Sequence, residues 1–241
     1  MHAFHDDIEL KETLRGRLEA DLARNAIESG ETAWHDERGS LAGSLLRSAR
    51  LDEGPAVVGI PEAVLALLDH FGSRAYAGLV PIDDLARRFV DAARPGTDLR
   101  GVPAALIARM ADVFGERVHG LAEAPDHIRE LAALIDARDG SPAHLKAVFD
   151  QWLHVRSREA MQAIGWSDAQ EAQAQEVLNR LWDDTEGQRR AGQYPNYPDL
   201  FARTNPDMAA GYRRGLEALN RSYIADTALL ANWFVELVRA A

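Results

Sequence analysis

The 241-residue sequence contains no cysteine, which removes several classes of site at once. Without a thiolate the chain has no zinc–sulfur or iron–sulfur centre, no disulfide and no thiol nucleophile. Long apolar runs are also missing, since none approaches the roughly 20 residues that span a bilayer. The first residues show no basic segment followed by an apolar one, the pattern of a secretory signal. We therefore expect a cytoplasmic protein that makes no membrane contact.

Basic residues are in the minority, and their deficit is spread along the chain. The sequence has 27 Lys and Arg against 38 Asp and Glu, a formal net charge of −11. Residues 1–120 hold 14 basic and 20 acidic side chains, and residues 121–241 hold 13 and 18. Neither half offers the basic surface that a nucleic-acid backbone attracts. The charge pattern predicts no nucleic-acid partner.

Metal and phosphate sites find little support in the sequence. Glu116 and His119 form one Glu-x-x-His pair, whereas di-iron helical bundles use two such pairs, and no histidine follows His154. We interpret the pair as surface or turn residues and expect no metal and no cofactor. Neither a Walker A loop nor a Gly-x-Gly-x-x-Gly fingerprint is present, so nucleotide chemistry is not expected.

Two further motifs have structural interpretations. Residues 39–43 read Gly-Ser-Leu-Ala-Gly and match the letters of a hydrolase nucleophile elbow, but no strand precedes them as that elbow requires. We expect Ser40 to cap a helix instead. The acidic run Asp183-Asp184-Thr185-Glu186 follows Trp182 at the end of an amphipathic segment, and we interpret it as a solvent-exposed face.

Apolar spacing throughout the chain predicts an all-α fold. Leu10, Leu14, Leu18 and Leu22 recur four residues apart, and strand alternation is absent. Asp6 with Glu9 predicts a capping box for a helix over residues 8–28 that ends at Gly30. A short helix is expected over residues 40–50, and Ala56-Val57-Val58 is the only strand-like fragment.

A segment beginning at Gly59 is echoed further along the chain. Gly59-Ile60-Pro61 and Gly101-Val102-Pro103 each open a helical pattern, with a weaker copy at Gly140-Ser141-Pro142. The starts are 42 and 39 residues apart, and the first two copies also match in their second helix. This spacing predicts tandem helical hairpins of about 40 residues at 59–96 and 101–139, as in stacked helical arrays. The alternative is that Gly-x-Pro is simply good helix-start chemistry met three times.

Residues 141–241 read as a longer helical bundle. We expect a helix from Pro142 to about Ile164, and a second one capped by Ser167 and Gln170 that runs to about residue 190. A loop is expected at 191–205. Residues 206–240 carry an apolar seam, which would form two helices if the chain breaks near Asn220. The chain is thus expected to comprise N-terminal helices at 1–58, hairpin repeats at 59–140 and the bundle at 141–241, all within one compact domain. The seam is wider than one docking face needs, which predicts a homodimer. The alternative is that the seam covers the end of the repeat array within one chain.

The loop at 191–205 contains the candidate binding residues. Tyrosines beside prolines lose little entropy on contact, and loops of this length are often functional. The candidates are Arg189, Arg190, Tyr194, Tyr197 and Phe201. The alternative is a strap whose aromatic rings pack onto the bundle.

Two functional hypotheses follow. The first is a non-catalytic helical scaffold or adaptor that binds a protein partner, because stacked hairpins leave an extended surface. The second is a helical enzyme or ligand-binding protein, with an apolar pocket for a small ligand between helices closed by the 191–205 loop. The sequence leaves open whether the protein is an enzyme.

Overall fold

The computed structural model describes residues 2–28, 33–73, 80–119, 126–137, 139–190 and 195–241, with the side chains of 113–119, 126–130, 168, 189 and 190 left out. Within these ranges the chain forms twelve α-helices, and its only sheet is a two-stranded ribbon. The expected all-α fold is confirmed. None of the described helices is both long and apolar enough to cross a membrane.

The elements follow one another along the chain in a simple order. The first half contains η1 (Ala3–Asp6, 3₁₀), α1 (Ile8–Ala23), β1 (Trp34–His35), β2 (Arg38–Gly39), α2 (Leu41–Leu46), η2 (Leu51–Glu53, 3₁₀), α3 (Gly54–Val57), α4 (Glu62–Ser73), α5 (Ile82–Ala92) and α6 (Val102–His119). The second half contains α7 (Asp126–Ala137), α8 (Pro142–Ala163), α9 (Asp168–Asp184), α10 (Glu186–Arg190), α11 (Tyr197–Thr204) and α12 (Pro206–Ala240).

The helices form two compact units. Unit 1 comprises Met1–Gln151 with Ala225–Ala241, and unit 2 comprises Trp152–Ile224. Both units are built partly from the long helices α8 and α12, each of which contributes residues to both. The division at residues 58 and 140 that the sequence pattern suggested stays a prediction.

The core of unit 1 contains the last helix of the chain. The ring of Phe234 on α12 lies 5.6 Å from that of Phe71 on α4 and 5.7 Å from that of Phe89 on α5, measured between centroids. All three side chains are fully buried. Residues 225–241 therefore complete this core.

The hairpin repeat is not confirmed. Helix α6 runs alongside α7 as a hairpin should, but α4 makes its most extensive contacts with α2, and α5 makes its own with α1. In the described part of the 59–96 segment, α4 thus packs mainly on α2 and α5 on α1, while Phe71 and Phe89 both pack against Phe234 of α12. Similar start signals led to different packing because the surrounding surfaces differ.

Several helix boundaries differ from the expectation. Asp7, not Asp6, caps α1, and its carboxylate accepts the N–H groups of Glu9 and Leu10 at 2.7 and 3.1 Å. The backbone of Asp7 is extended, as a cap requires, whereas that of Asp6 is left-handed. Helix α1 stops at Ala23, before the left-handed Asn25. The strand-like fragment at 56–58 was expected to form no sheet, and it forms none, because Val57 ends the short helix α3.

Unit 2 follows its capping signals closely. Ser167 and Gln170 form the expected capping box of α9, and α8 ends just before Gly165, whose φ is +82°. Helix α12 is continuous over Pro206–Ala240, without a break near Asn220. The expected loop at 191–205 is wrong for residues 197–204, which form α11.

Local chemistry explains the start of α11. The side chain of Asn196 accepts the N–H of Asp199 at 3.3 Å, which satisfies one of the free donors at the helix start. Pro198 lies in the first turn, where its missing N–H costs nothing. Pro198 therefore helps to begin a helix.

Candidate functional site

The candidate residues are distributed over two short helices of unit 2. Tyr197 is the first residue of α11 and Phe201 lies one turn later, while Arg189 and Arg190 end α10. The side chains of both arginines, and all of Tyr194, lie outside the described residues. The structure therefore places two of the five candidate side chains.

Phe201 is a core residue. Its side chain is fully buried, and its ring stacks on that of Tyr212 with 4.2 Å between centroids. Met161, Val177 and Leu181 belong to the same apolar cluster. Burial here also raises the pKa of the Tyr212 phenol. A residue so enclosed stabilises unit 2, in keeping with the alternative of a strap, and its role as a contact residue stays a prediction.

Tyr197, in contrast, lies at the edge of this core and is only partly buried. Its hydroxyl is 2.8 Å from Oγ1 of Thr185, and Oγ1 donates to the carbonyl of Leu181 at 2.7 Å. A hydrogen bond thus joins the two hydroxyl groups, and either oxygen can be its donor. The phenol is thereby fixed to the C-terminal cap of α9.

The exposed neighbour of Tyr197 is Trp182, which the sequence-based candidate list omitted. The two rings stack with 5.6 Å between centroids and 29° between planes. Trp182 is nevertheless 52% exposed. The buried positions of α9 run through Val177 and Leu181, so Trp182 falls about 100° away from that stripe. The spacing of Val177, Leu181 and Trp182 in the sequence was therefore enough to predict this offset.

The aromatic pair, Trp182 with Tyr197, has a charged border. Asp183 and Asp184 follow Trp182 directly, and both are exposed, as the sequence predicted for this run. The arrangement presents a wide apolar ring that stacks on a second ring and is edged by carboxylates.

The Gly-x-Ser-x-Gly motif is structural. The hydroxyl of Ser40 accepts the N–H of Gly43 at 3.1 Å, which confirms the expected helix cap. A Cβ atom at Gly39 or at Gly43 would overlap the carbonyl oxygen of Ala33, to which the Ser40 N–H donates at 3.0 Å. Both glycines thus leave room for a crossing segment of backbone, and the buried serine is not a nucleophile.

No metal site is formed by the described side chains, where no three His, Asp or Glu residues come together suitably. The pair Glu116 and His119 lies on α6, but its side chains are outside the described set.

A cleft of about 190 Å³ lies between α1 and α5 in unit 1. Leu18 and Val90 contribute its apolar surface. Two ion pairs cross it, from Arg15 to Asp91 at 2.7 Å and from Arg87 to Glu19 at 2.9 Å. The hydrogen bond from Arg87 holds the pKa of the Glu19 carboxyl below its ordinary value. With its charges paired across it, this cleft differs from the apolar pocket of the second functional hypothesis.

Comparison of the chain with protein-family models, with curated proteins and with solved structures finds no match. Function is therefore argued from the site alone.

Proposed function

We propose that this protein is a non-catalytic helical scaffold or adaptor that binds a protein partner, and that the contact centres on Trp182 and Tyr197 of unit 2. The observation that carries the proposal is an indole 52% exposed to solvent yet stacked on a tyrosine. Trp and Tyr are enriched at protein interfaces and among the residues that contribute most to binding.

The geometry of the pair favours binding. Trp and Tyr dominate the energetics of protein interfaces because each buries a large area at a small entropy cost. The hydroxyl of Tyr197 is already bonded to Thr185, and the Tyr197 ring restrains Trp182. A surface that is ordered before contact loses less entropy on binding.

The charge of unit 2 is nearly balanced, which suits a contact surface with an apolar centre and a rim of mixed charge. Residues 152–224 contain nine basic and ten acidic side chains, against 18 and 28 in the rest of the chain. Long-range repulsion from this unit is thus weak for a partner of either sign. Asp183 and Asp184, which follow Trp182 directly and are exposed, supply polar groups beside the aromatic pair.

A site-specific crosslinking experiment tests the proposal. A photo-reactive amino acid is placed at position 182 and, as the matched control, at position 8, because Ile8 is 66% exposed on α1 in unit 1. In cells that produce the full chain, irradiation is expected to yield a discrete protein adduct from position 182 and none from position 8. Equal adduct patterns from both positions, or none from 182, would contradict the proposal.

Affinity measurements with the captured partner provide the second step. Trp182→Ala is expected to weaken binding by about 30-fold, corresponding to the ~2 kcal/mol of a hot-spot residue. Ile8→Ala should leave the dissociation constant unchanged. Tyr197→Phe keeps the stacked ring but loses the bond to Thr185, so an intermediate effect is expected.

The second functional hypothesis stays a prediction. In the described residues, Phe201 packs on Tyr212 in the core, although it belongs to the segment expected to close an apolar pocket. The homodimer also stays a prediction, and its test is given in the Discussion.

A further inference from the structure

Three tryptophans among the described residues share one type of contact, in which an arginine guanidinium lies against the indole and also pairs with a carboxylate. The three sets are Trp34 with Arg47 and Asp21, Trp152 with Arg156 and Glu159, and Trp233 with Arg109 and Glu236. In this order, the guanidinium carbon lies 4.5, 5.6 and 4.7 Å from the ring centre, and a guanidinium nitrogen lies 2.6, 2.5 and 2.8 Å from a carboxylate oxygen. Each guanidinium thus binds a ring and an anion at once.

This type of contact has a general physical basis. The face of an indole carries partial negative charge, which attracts a cation. A guanidinium is planar and weakly hydrated, so it stacks on the ring and still directs its N–H groups to a carboxylate at the edge. An ammonium group, which is compact and strongly hydrated, performs both roles less well. A tryptophan with carboxylates beside it is therefore suited to arginine.

Trp182 provides the ring and the carboxylates of such a set on the surface of unit 2. Its side chain stays 52% exposed although Tyr197 stacks on it. The next two residues, Asp183 and Asp184, are also exposed, and neither carboxylate forms an ion pair with any described side chain. Glu186, which is exposed as well, follows Trp182 by four residues. Position 182 thus combines an accessible indole with negative charge that is not compensated locally.

The charge of the whole chain favours the same partner chemistry. The formal net charge is −11, so the long-range field attracts positively charged segments and repels acidic ones. Residues 152–224 are themselves nearly balanced, with nine basic and ten acidic side chains. Selection at short range therefore depends on the carboxylates that lie beside Trp182.

We propose that the partner segment bound at Trp182 contributes an arginine, whose guanidinium stacks on the exposed part of the indole and pairs with Asp183 or Asp184. This inference rests on the proposed function, because it names the chemistry that the protein partner presents at the same site. The partner arginine completes a fourth set of the kind that the chain forms internally. A purely apolar segment would cover the indole but would deprive the neighbouring carboxylates of hydration without replacing it.

Selection from a phage library of random twelve-residue peptides tests this chemistry. The library is first depleted on the Trp182→Ala chain, checked for helicity, and then selected on the immobilised full-length chain. Peptides that need Trp182 are expected to carry arginine at least threefold more often than the unselected library, with a smaller rise in lysine. Trp182-dependent peptides without this excess of arginine would overturn the inference and leave the proposed function intact. If no peptide depends on Trp182, the proposed function fails and this inference fails with it.

Two neutral substitutions then identify the paired groups. The tightest selected peptide is synthesised with arginine and with citrulline, which keeps the planar shape without the charge, and citrulline is expected to weaken binding at least tenfold. The double variant D183N/D184N should weaken binding of the arginine peptide about tenfold. Its matched control is D83N/D84N, which removes the same charge from two consecutive exposed aspartates of α5 in unit 1. Equal binding of the two peptides, or equal effects of the two double variants, would overturn the inference.

Charge reversal gives an independent measurement. The double variant D183R/D184R should bind the peptide in which glutamate replaces the arginine at least fivefold more tightly than the wild-type chain does. Damage to the fold would not produce such a gain, so the result reports direct pairing. D83R/D84R changes the net charge by the same amount and should give a much smaller gain, because it acts only through the long-range field. No gain from D183R/D184R, or an equal gain from both variants, contradicts the pairing at Trp182.

Discussion

The hydroxyl of Ser40 donates a 2.8 Å hydrogen bond to the carboxylate of Asp69, and both side chains are buried in unit 1. The other oxygen of Asp69 accepts the N–H of Ala42 at 2.7 Å. Four residues after Ser40, the hydroxyl of Ser44 donates to the buried Asp21 at 2.5 Å. Two buried carboxylates thus hold the short helix α2, one from α4 and one from α1.

Removal of the first carboxylate is expected to destabilise the protein substantially. Asp69→Ala leaves the Ser40 hydroxyl and the Ala42 N–H buried without their acceptor, at a cost of about 2–4 kcal/mol in the free energy of unfolding. Urea denaturation followed by circular dichroism measures this loss. Asp52→Ala, which removes an exposed carboxylate paired with Arg50, is the matched control and should have a far smaller effect. Similar losses for the two variants would contradict the role of Asp69.

The second carboxylate predicts a dependence of stability on pH. Burial disfavours ionisation of Asp21, but hydrogen bonds from Ser44, Arg24 and Arg47 outweigh it and hold the pKa of that carboxyl below its ordinary 3.8. A folded-state pKa below the unfolded value stabilises the fold above pH 3.8 and loses this contribution as pH falls through the folded-state pKa. Asp21→Asn should therefore be clearly less stable than wild type at pH 7, with a smaller difference at pH 3. A difference that is the same at both pH values would argue against this account.

The glycines around Ser40 provide a third prediction. Gly43→Ala places a Cβ against the Ala33 carbonyl and is expected to cost about 1–3 kcal/mol, because the crossing backbone must shift. Gly16→Ala on α1 meets nothing within 4 Å and should stabilise by about 0.5–1 kcal/mol through helix propensity. Urea midpoints of the two variants should therefore move in opposite directions from that of wild type. If Gly43→Ala were neutral, the steric interpretation of the motif would be wrong.

Sequence patterns predicted those features whose causes are local. The cap at Ser40 and the capping box at Ser167 were predicted because each depends on side chains within three residues of the helix start. The all-α fold followed from the spacing of leucines in the same way. Even here the predicted cap was displaced by one residue, from Asp7 to Asp6. The backbone of Asp6 is left-handed and its carboxylate lies beside Gly96, a contact with a distant residue that local patterns do not show.

The features that sequence patterns failed to predict depend on distant partners. Similar start signals at Gly59 and Gly101 say nothing about which surfaces their helices will meet, so α4 packs on α2 while α6 packs on α7. The composition of residues 191–205 suggested a loop, but Phe201 lies buried against Tyr212 and residues 197–204 form α11. Of the aromatic pair, Tyr197 was predicted as a binding residue because prolines flank it. The exposure of Trp182 could have been predicted only by assigning each residue of α9 to a face of the helix.

A comparison of two aromatic substitutions in unit 2 tests this division between core and surface. Phe201→Ala should cost about 3–5 kcal/mol of stability, because it empties a fully buried site. Trp182→Ala should cost less than about 1 kcal/mol, since surface substitutions lose little packing. Thermal unfolding of both variants measures the contrast. A larger loss from Trp182→Ala would mean that the indole is structural, and the proposed partner site would lose its support.

The apolar seam of α12, from which the homodimer was predicted, calls for the last pair of substitutions. Leu230, Trp233, Phe234 and Val238 are all buried within unit 1, and the guanidinium of Arg109 lies 4.7 Å from the centre of the Trp233 ring. Leu229, Leu230 and Trp233 lie beside the seam and widen it, and of these three only Leu229 is exposed, at 36%. Trp233→Ala should therefore destabilise the single chain by about 3–5 kcal/mol, whereas Leu229→Ala should change stability by less than about 1 kcal/mol.

Light scattering at micromolar concentration measures the oligomeric state alongside stability. A mass near the 26.5 kDa of one chain would show that the seam serves only the interior of unit 1. If a dimer is found and α12 forms its contact, Leu229→Glu should dissociate it. Helicity should be kept, because Leu229 is exposed in the single chain. A dimer that resists Leu229→Glu would contradict the interface predicted from the seam of α12.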